Sequence, residues 1–296
     1  MQSHRSMFLL LIVVGLAATS GASCPRMVGQ ATGRPVLPVQ PTLEQVIEVV
    51  NQNNAIRSFS TTDASISTPQ MPIALLNTSI AFERPRRLRV RAGTLVTGPE
   101  LDMGSNDELF WVWIRRDPQQ SLYFCRHDQF ANSPIRRMLP VDPDWLIEAM
   151  GITEFDPSLE HQGPFLQNNG CLEIRTIRQT DQGPMTKITI VDAVKGQIFG
   201  QHLIDSRGQV VASAIVRAHR TDPVSGLTMP RKLDLSFPAS QLAMQIDLGK
   251  MRINRLDGDP QQLWTMPRYD DYPLVDLGRP DLRLKSSVVE GLPTYD

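Results

Sequence analysis

The chain has 296 residues, of which 41% are apolar, enough for a sizeable hydrophobic core. Its 30 Lys and Arg residues are balanced by 31 Asp and Glu residues. The sequence therefore lacks the excess of basic charge with which proteins attract nucleic acid, and we expect no nucleic acid partner. This length suits one large mainly β domain or two small ones.

The N-terminus has the pattern of an exported protein. His4 and Arg5 precede an apolar run from Met7 to Ala18, and small residues follow this run. The run is too short to span a membrane comfortably as a permanent helix, so residues 1–23 are predicted to be a secretory signal peptide. We expect the mature protein in the bacterial cell envelope, facing the periplasm.

Cys24 directly follows Gly21, Ala22 and Ser23. This arrangement resembles a bacterial lipoprotein signal, in which the cysteine thiol takes a diacylglyceryl group and becomes the mature N-terminus. The resemblance implies that Cys24 is a lipid anchor that attaches the protein to a membrane. Ordinary cleavage after Ala22, which would leave a soluble periplasmic protein, is the alternative.

The other two cysteines are Cys125 and Cys171. If Cys24 carries a lipid, these two remain in an oxidising compartment, where a disulfide between them is one expectation and two buried free thiols are the other. The sequence has no CxxC or Cys/His spacing of the zinc-binding type, and we expect no metal site.

Two amphipathic helices are predicted. Residues 24–41 are rich in Gly, Pro and Gln and suit a flexible tether. Thr42 and Gln45 then form a capping box, and the apolar residues Leu43, Val46, Ile47 and Val50 give a helix that runs to about Asn53 or Ile56. The second helix begins at Asp142, with Pro143 in its first turn, and Gly151 ends it.

Most other segments have the pattern of β-strands. Leu88, Val90 and Ala92 alternate with arginines, which predicts a half-buried strand whose Arg87, Arg89 and Arg91 face solvent. The predicted strands are Ser58–Ser67, Leu75–Glu83, Arg87–Thr94, Glu108–Arg116, Ser121–Phe130, Cys171–Thr180, Met185–Asp192, Gln197–Ile204, Val210–Arg220 and Arg231–Phe237, with a last pair within Gln241–Asn254. Residues 98–107 suit a turn-rich segment and residues 154–170 a loop.

This order of elements predicts a mainly β fold with α cover. We expect a strongly curved antiparallel sheet that forms an unclosed β-barrel, with the helices covering its concave face. Residues 42–268 would form this single domain. Residues 269–296 are rich in Pro, Asp and Tyr at their start and are predicted to be an extended or disordered tail.

One segment resembles a known family, the lipoprotein carriers LolA and LolB. Arg84-Pro85 ends an early strand, and Leu88 follows three positions after Pro85. Asn106-Asp107 stands where the family has Asp-Gly, and Phe110-Trp111 stands for its Leu-Trp. The resemblance implies an unclosed barrel whose helices form a lid over an apolar cavity for acyl chains. It also implies that Arg84 is a lid contact.

The implied ligand is therefore an acyl chain or a lipoprotein, and the implied role is in lipoprotein or lipid trafficking. Six apolar residues are candidates to line the cavity: Ile47, Val50, Phe110, Trp111, Trp113 and Trp145. The alternative is that these side chains pack a closed core. We predict no cofactor.

The sequence offers no catalytic site, and we expect the protein not to be an enzyme. None of the common nucleophile, metalloprotease or phosphate-binding motifs occurs. His127 and Asp128 are adjacent, so on a strand their side chains would point to opposite faces. A second functional hypothesis is a non-catalytic envelope interaction or structural protein that binds a protein partner through Arg87 and Arg89 on the outer sheet face.

Overall fold

The computed structural model describes residues 35–69, 75–133, 143–180 and 183–279. The predicted signal peptide, Cys24, most of the tether, Asp142 and residues 280–296 lie outside these ranges. The helices are α1 (Leu43–Asn51), α2 (His127–Phe130), α3 (Pro143–Ala149) and α4 (Pro260–Leu263).

The described ranges contain fifteen strands. In chain order they are β1 (Ser58–Ser67), β2 (Leu75–Glu83), β3 (Arg87–Thr94), β4 (Gly98–Ser105), β5 (Leu109–Ile114), β6 (Leu122–Arg126), β7 (Glu160–Leu166), β8 (Cys171–Thr180), β9 (Gly183–Asp192), β10 (Ile198–Ile204), β11 (Val210–Thr221), β12 (Thr228–Phe237), β13 (Leu242–Asp247), β14 (Arg252–Ile253) and β15 (Leu274–Asp276).

All fifteen strands belong to one curved sheet. The order is β15-β6-β5-β4-β3-β2-β1-β13-β12-β11-β10-β9-β8-β7, and β14 pairs with β1. Neighbours are antiparallel except β15, which runs parallel to β6. Sequence neighbours are mostly sheet neighbours, so short turns suffice to connect them. The sheet does not close into a barrel, and the predicted fold class is confirmed.

The two faces of the sheet have different covers. Helices α1 and α3 pack on one face, which we call the helix face; Leu88 and Val90 of β3 belong to its core. Residues 255–272, which we call the strap, cross the other face, where the guanidinium of Arg89 donates to the carbonyls of Leu263 and Thr265. We call this second face the strap face.

The predicted strand bounds are accurate for β1, β2, β3 and β8. Three strands were not predicted: β4 lies in the segment assigned to turns, β7 in the segment assigned to a loop, and β15 in the predicted tail. Residues 127–130 form α2 rather than the end of a strand. Gly93 permits the β3–β4 hairpin, because a Cβ there would lie 2.4 Å from the Gly98 carbonyl oxygen.

The first helix begins as the sequence predicts. The Gln45 amide donates to Thr42 Oγ1 over 3.3 Å, and the Thr42 amide donates to Gln45 Oε1 over 2.9 Å. This capping box satisfies N–H groups that have no partner within the helix. Helix α1 ends at Asn51, and the next turn, Gln52–Ala55, is a 3₁₀ helix.

Candidate functional site

Apolar side chains from both helices fill the helix face. Helix α3 and the residue after it contribute Trp145, Ile147 and Met150, which are 3%, 4% and 1% exposed. The Trp145 ring meets Phe237 of β12 edge-on, with 5.7 Å between ring centroids. Helix α1 buries Val50 against Ile174 and other residues of β8 to β10. Each helix therefore lies on the sheet through one apolar stripe.

Polar contacts fix the segment after α3 to its surroundings. Gln201 of β10 donates to the Glu148 carbonyl over 2.9 Å and to Thr153 Oγ1 over 2.8 Å. Asn51, the last residue of α1, exchanges two hydrogen bonds with the backbone of Phe155. The ends of the two helices are thus joined to one connecting segment, residues 150–155.

Arg84 contacts the segments that follow both helices. Its Nε donates to the Ile56 carbonyl over 2.9 Å and its Nη2 to Asn54 Oδ1 over 2.9 Å, both after α1. Its Nη1 lies 3.3 Å from Glu154 Oε2, after α3. Partial burial lowers the pKa of Arg84, and the Glu154 carboxylate opposes that shift. A single guanidinium at the end of β2 therefore connects the sheet to both helix ends.

The six predicted lining residues are not brought together. Ile47 and Val50 lie with α1, Trp145 lies in the large core under α3, and Phe110 lies in a separate cluster on the helix face with Phe130. Trp111 and Trp113 form part of a fourth cluster, on the strap face. Side chains alternate along β5, so neighbours such as Phe110 and Trp111 must face opposite ways.

Aromatic residues of the strap cover the two tryptophans of β5. Trp113 stacks on Tyr269 with 4.3 Å between centroids and 16° between planes. Trp111 is fully buried, and the Arg89 guanidinium lies 5.0 Å above its ring. Gly104, opposite Trp111 on β4, makes room for this ring, because a Cβ there would lie 2.3 Å from Trp111 Cζ2.

The prediction that Arg87, Arg89 and Arg91 all face solvent is wrong for Arg89, which is buried. The Arg89 and Asp102 side chains are only 2% and 4% exposed, and Arg89 Nε lies 2.7 Å from Asp102 Oδ1. The strap buries this ion pair: two of its carbonyls accept from Arg89 Nη1, and the Tyr269 hydroxyl donates to Asp102 Oδ2 over 2.8 Å. Burial and the neighbouring Asp102 carboxylate raise the pKa of Tyr269, so its hydroxyl stays protonated as a donor.

The predicted Cys125–Cys171 disulfide is wrong. Cys125 is a free thiol, fully buried on β6, and Cys171 is disulfide-bonded but not to Cys125. The reason is topological, because β6 and β8 lie near opposite ends of the sheet. Burial raises the pKa of the Cys125 thiol to about 11, which keeps it protonated and unreactive at neutral pH.

The histidines have structural partners. His202 Nδ1 lies 2.9 Å from Ser213 Oγ, and His219 Nε2 donates to the Ile198 carbonyl over 2.9 Å. Their strands pair His202 with Ser213 and His219 with Pro230, so the two rings do not face each other. Within the described ranges, no three His, Cys, Asp or Glu side chains are grouped as metal ligands would be.

Comparison with known proteins gives structural matches only. No family model matches the chain, and no curated protein matches it. A solved domain from Vibrio parahaemolyticus, described as an outer membrane lipoprotein-sorting protein, matches with a TM-score of 0.48 and 7% identity, covering 75% of this chain and 97% of that domain. The architecture that the resemblance of the Arg84-Pro85 segment implied, an unclosed curved antiparallel sheet with few helices, is the one observed.

Two further solved structures have comparable scores. A LolA superfamily protein from Nitrosomonas europaea matches with a TM-score of 0.45 and 12% identity over 76% of this chain and 98% of that one. A DUF1329 family protein from Desulfovibrio piger matches with a TM-score of 0.46 and 12% identity over 78% of this chain and 100% of that one. Likenesses at this level concern the fold and assign no ligand. Among the described helices, none is long and apolar enough to cross a bilayer.

Proposed function

We propose that the protein is a non-catalytic carrier of the bacterial envelope whose helix face opens to bind an acyl chain, free or on a lipoprotein. The observation that carries this proposal is the position of Arg84, whose three contacts hold the segments after α1 and α3 against the sheet. The structure is then the closed form, in which helix side chains occupy the place of a ligand.

The physical argument concerns the apolar surface under the helices. Residues such as Trp145 and Val50 are buried between helix and sheet, so moving a helix away would expose both apolar surfaces. An exposed apolar area of this kind is unfavourable unless something covers it. An acyl chain contributes roughly 0.8 kcal/mol for each CH₂ group that it buries, so a long chain can offset the cost of opening.

Replacing Arg84 with leucine is expected to leave the sheet folded and to loosen both helices. Loss of the three contacts should stabilise the open form by about 1–2 kcal/mol, a shift of roughly five- to thirtyfold in its population. Hydrogen exchange in α1 and α3 should accelerate by that factor, and a fluorescent fatty acid should bind correspondingly more tightly.

Arg217→Leu is the matched control, because Arg217 also forms an ion pair, 2.7 Å from Asp234, but does so on β11 away from both helices. It should change neither helix exchange nor fatty acid binding. If wild type and Arg84→Leu both fail to bind the fatty acid, and no lipid co-purifies from the native envelope, the carrier proposal is wrong. If hydrogen exchange in α1 and α3 is unchanged in Arg84→Leu, Arg84 does not hold the helices against the sheet.

We also propose that Cys24 anchors the mature chain to a membrane through a lipid, with residues 24–41 as the tether and the folded domain in the periplasm. Cys24→Ser should lower the mature mass by the lipid and release the protein from the membrane fraction. An unchanged mass and unchanged fractionation would refute the anchor.

The alternative function, binding of a protein partner through Arg87 and Arg89, has less support because only one of these arginines is accessible. Arg89 is buried beneath the strap and cannot reach a partner there. Arg87 is partly exposed but already bonds Asp107 and Glu83, which raises the pKa of its guanidinium further. The described structure therefore favours the carrier.

A further inference from the structure

A cleft of about 350 Å³ opens on the strap face, beside the strap. Strands β2, β3 and β4 form its floor, and Pro267 and Tyr269 of the strap form one wall. The residues that matter for its chemistry are Asn77, Ser79, Arg91, Pro99, Pro267 and Tyr269. The cleft is on the opposite side of the sheet from α1 and α3, so it is separate from the acyl-chain site proposed above.

Arg91 gives this cleft its net charge. The other two charged residues of the lining, Arg89 and Asp102, neutralise each other at 2.7 Å. Arg91 Nε reaches Asp102 only at 3.6 Å, and the Arg91 side chain is 51% exposed. Because Asp102 also accepts from Tyr269, its charge is already engaged. One carboxylate, Asp102, thus faces two arginines, which leaves the lining with a net positive charge on the more exposed Arg91.

Polar donors lie next to Arg91. Ser79 of β2 is the cross-strand partner of Arg91, and cross-strand partners have their Cβ atoms about 4.5–5.5 Å apart. Asn77 lies two positions before Ser79 on β2 and belongs to the same lining. An arginine with a hydroxyl and an amide beside it suits the oxygens of a carboxylate or a phosphate.

The rest of the lining is apolar. Pro99 and Pro267 line the cleft together with the Tyr269 ring, which is held in place by its stack on Trp113. The volume of the cleft lies at the lower end of the range for small-molecule sites. The strap fixes the Tyr269 wall in advance, so little ordering is needed on binding.

A smaller cleft of about 180 Å³ adjoins the first and shares Ser79, Arg89 and Arg91 with it. Its far side carries Asp257, which pairs with Arg252 at 2.5 Å, and Asp259, whose side chain caps α4. These carboxylates disfavour an anion in the smaller cleft. They leave the larger cleft as the place where a negative group meets Arg91.

We propose that the larger cleft binds a small organic anion, a carboxylate or phosphate ester on a short apolar body. The negative group lies on Arg91, with Ser79 and Asn77 as donors. The apolar body lies against Pro99, Pro267 and the Tyr269 ring. This site is independent of the proposed carrier function and of the opening of the helix face.

The test is isothermal titration calorimetry of the full-length protein with three probes: octanoate, octyl phosphate and the neutral octanol, each below its micelle concentration. We expect octanoate or octyl phosphate to bind and octanol to bind at least tenfold more weakly. The preferred anion identifies the headgroup. Arg91→Gln should weaken anion binding at least tenfold, and raising the salt concentration should weaken wild-type binding because the charge is partly exposed.

Arg217→Gln is the control, since four strands separate β11 from β3 and its arginine is similarly exposed at 50%. It should bind the anion as the wild type does. Any additional octanoate that the helix face takes up in Arg84→Leu should persist when Arg91→Gln is added, so the part of the binding lost in Arg91→Gln reports the cleft alone. Equal binding by Arg91→Gln and wild type would overturn the proposal. Equal binding of octanol and the anions would overturn it as well, as would no binding of any probe.

Discussion

Replacing Asp102 with alanine is expected to lower the free energy of unfolding by about 3–5 kcal/mol, the usual cost of removing one partner of a buried ion pair. The Arg89 side chain is 2% exposed, so the substitution leaves a charge in the interior that water cannot reach. The Tyr269 hydroxyl also loses its acceptor. Urea denaturation followed by tryptophan fluorescence measures the change.

Asp107→Ala is the matched control. Asp107 pairs with Arg87 in the same region of the sheet, but its side chain is 52% exposed, so water replaces the lost contact. Exposed ion pairs contribute about 0–1 kcal/mol, and this variant should lose no more than that. A double variant, Asp102→Leu with Arg89→Met, should recover part of the loss. Equal losses in Asp102→Ala and Asp107→Ala would show that the strap does not bury the pair.

The strands that the sequence predicted are those whose side chains alternate. In β3, Leu88 and Val90 belong to the core of the helix face and alternate with arginines, so a period of two is visible in the sequence. In β4 the positions opposite the arginines hold Asp102 and Gly104. Their roles, to pair with Arg89 and to make room for Trp111, are set by other strands. On the helix face β4 places only two large apolar residues, the partly buried Leu101 and Met103, so its apolar period is too short to stand out among turn-forming residues.

The helix face was largely predictable and the strap face was not. The capping box and apolar stripe of α1 are local patterns, and the contact of Arg84 with the turn after α1 follows the family resemblance. The burial of Arg89 depends on a hydrogen bond to Thr265, 176 residues away. No residue near Arg89 in the sequence indicates this burial. An arginine that alternates with apolar residues gives the same sequence pattern whether it faces solvent or lies under a distant segment.

Trp145→Ala should cost about 3–5 kcal/mol of unfolding free energy, as expected when a buried tryptophan is truncated. Trp145 is 3% exposed and packs on Phe237, so alanine leaves a cavity between α3 and the sheet. If the helix face binds acyl chains, this cavity should admit one more readily than the filled wild-type face. Saturating fatty acid should then restore several kcal/mol, because a ligand that binds the native state stabilises it.

Trp264→Ala separates this prediction from a general effect of lost packing. Trp264 is also buried, at 8% exposure, but it belongs to the strap and its carbonyl accepts from Asn106. Its truncation should destabilise the protein without creating a site on the helix face, so added fatty acid should restore less of the lost stability. Equal recovery in the two variants would mean that the fatty acid does not bind under α3. No recovery in Trp145→Ala would identify the helix face as a permanently closed core, because a cavity already formed there has no cost of opening left to oppose binding.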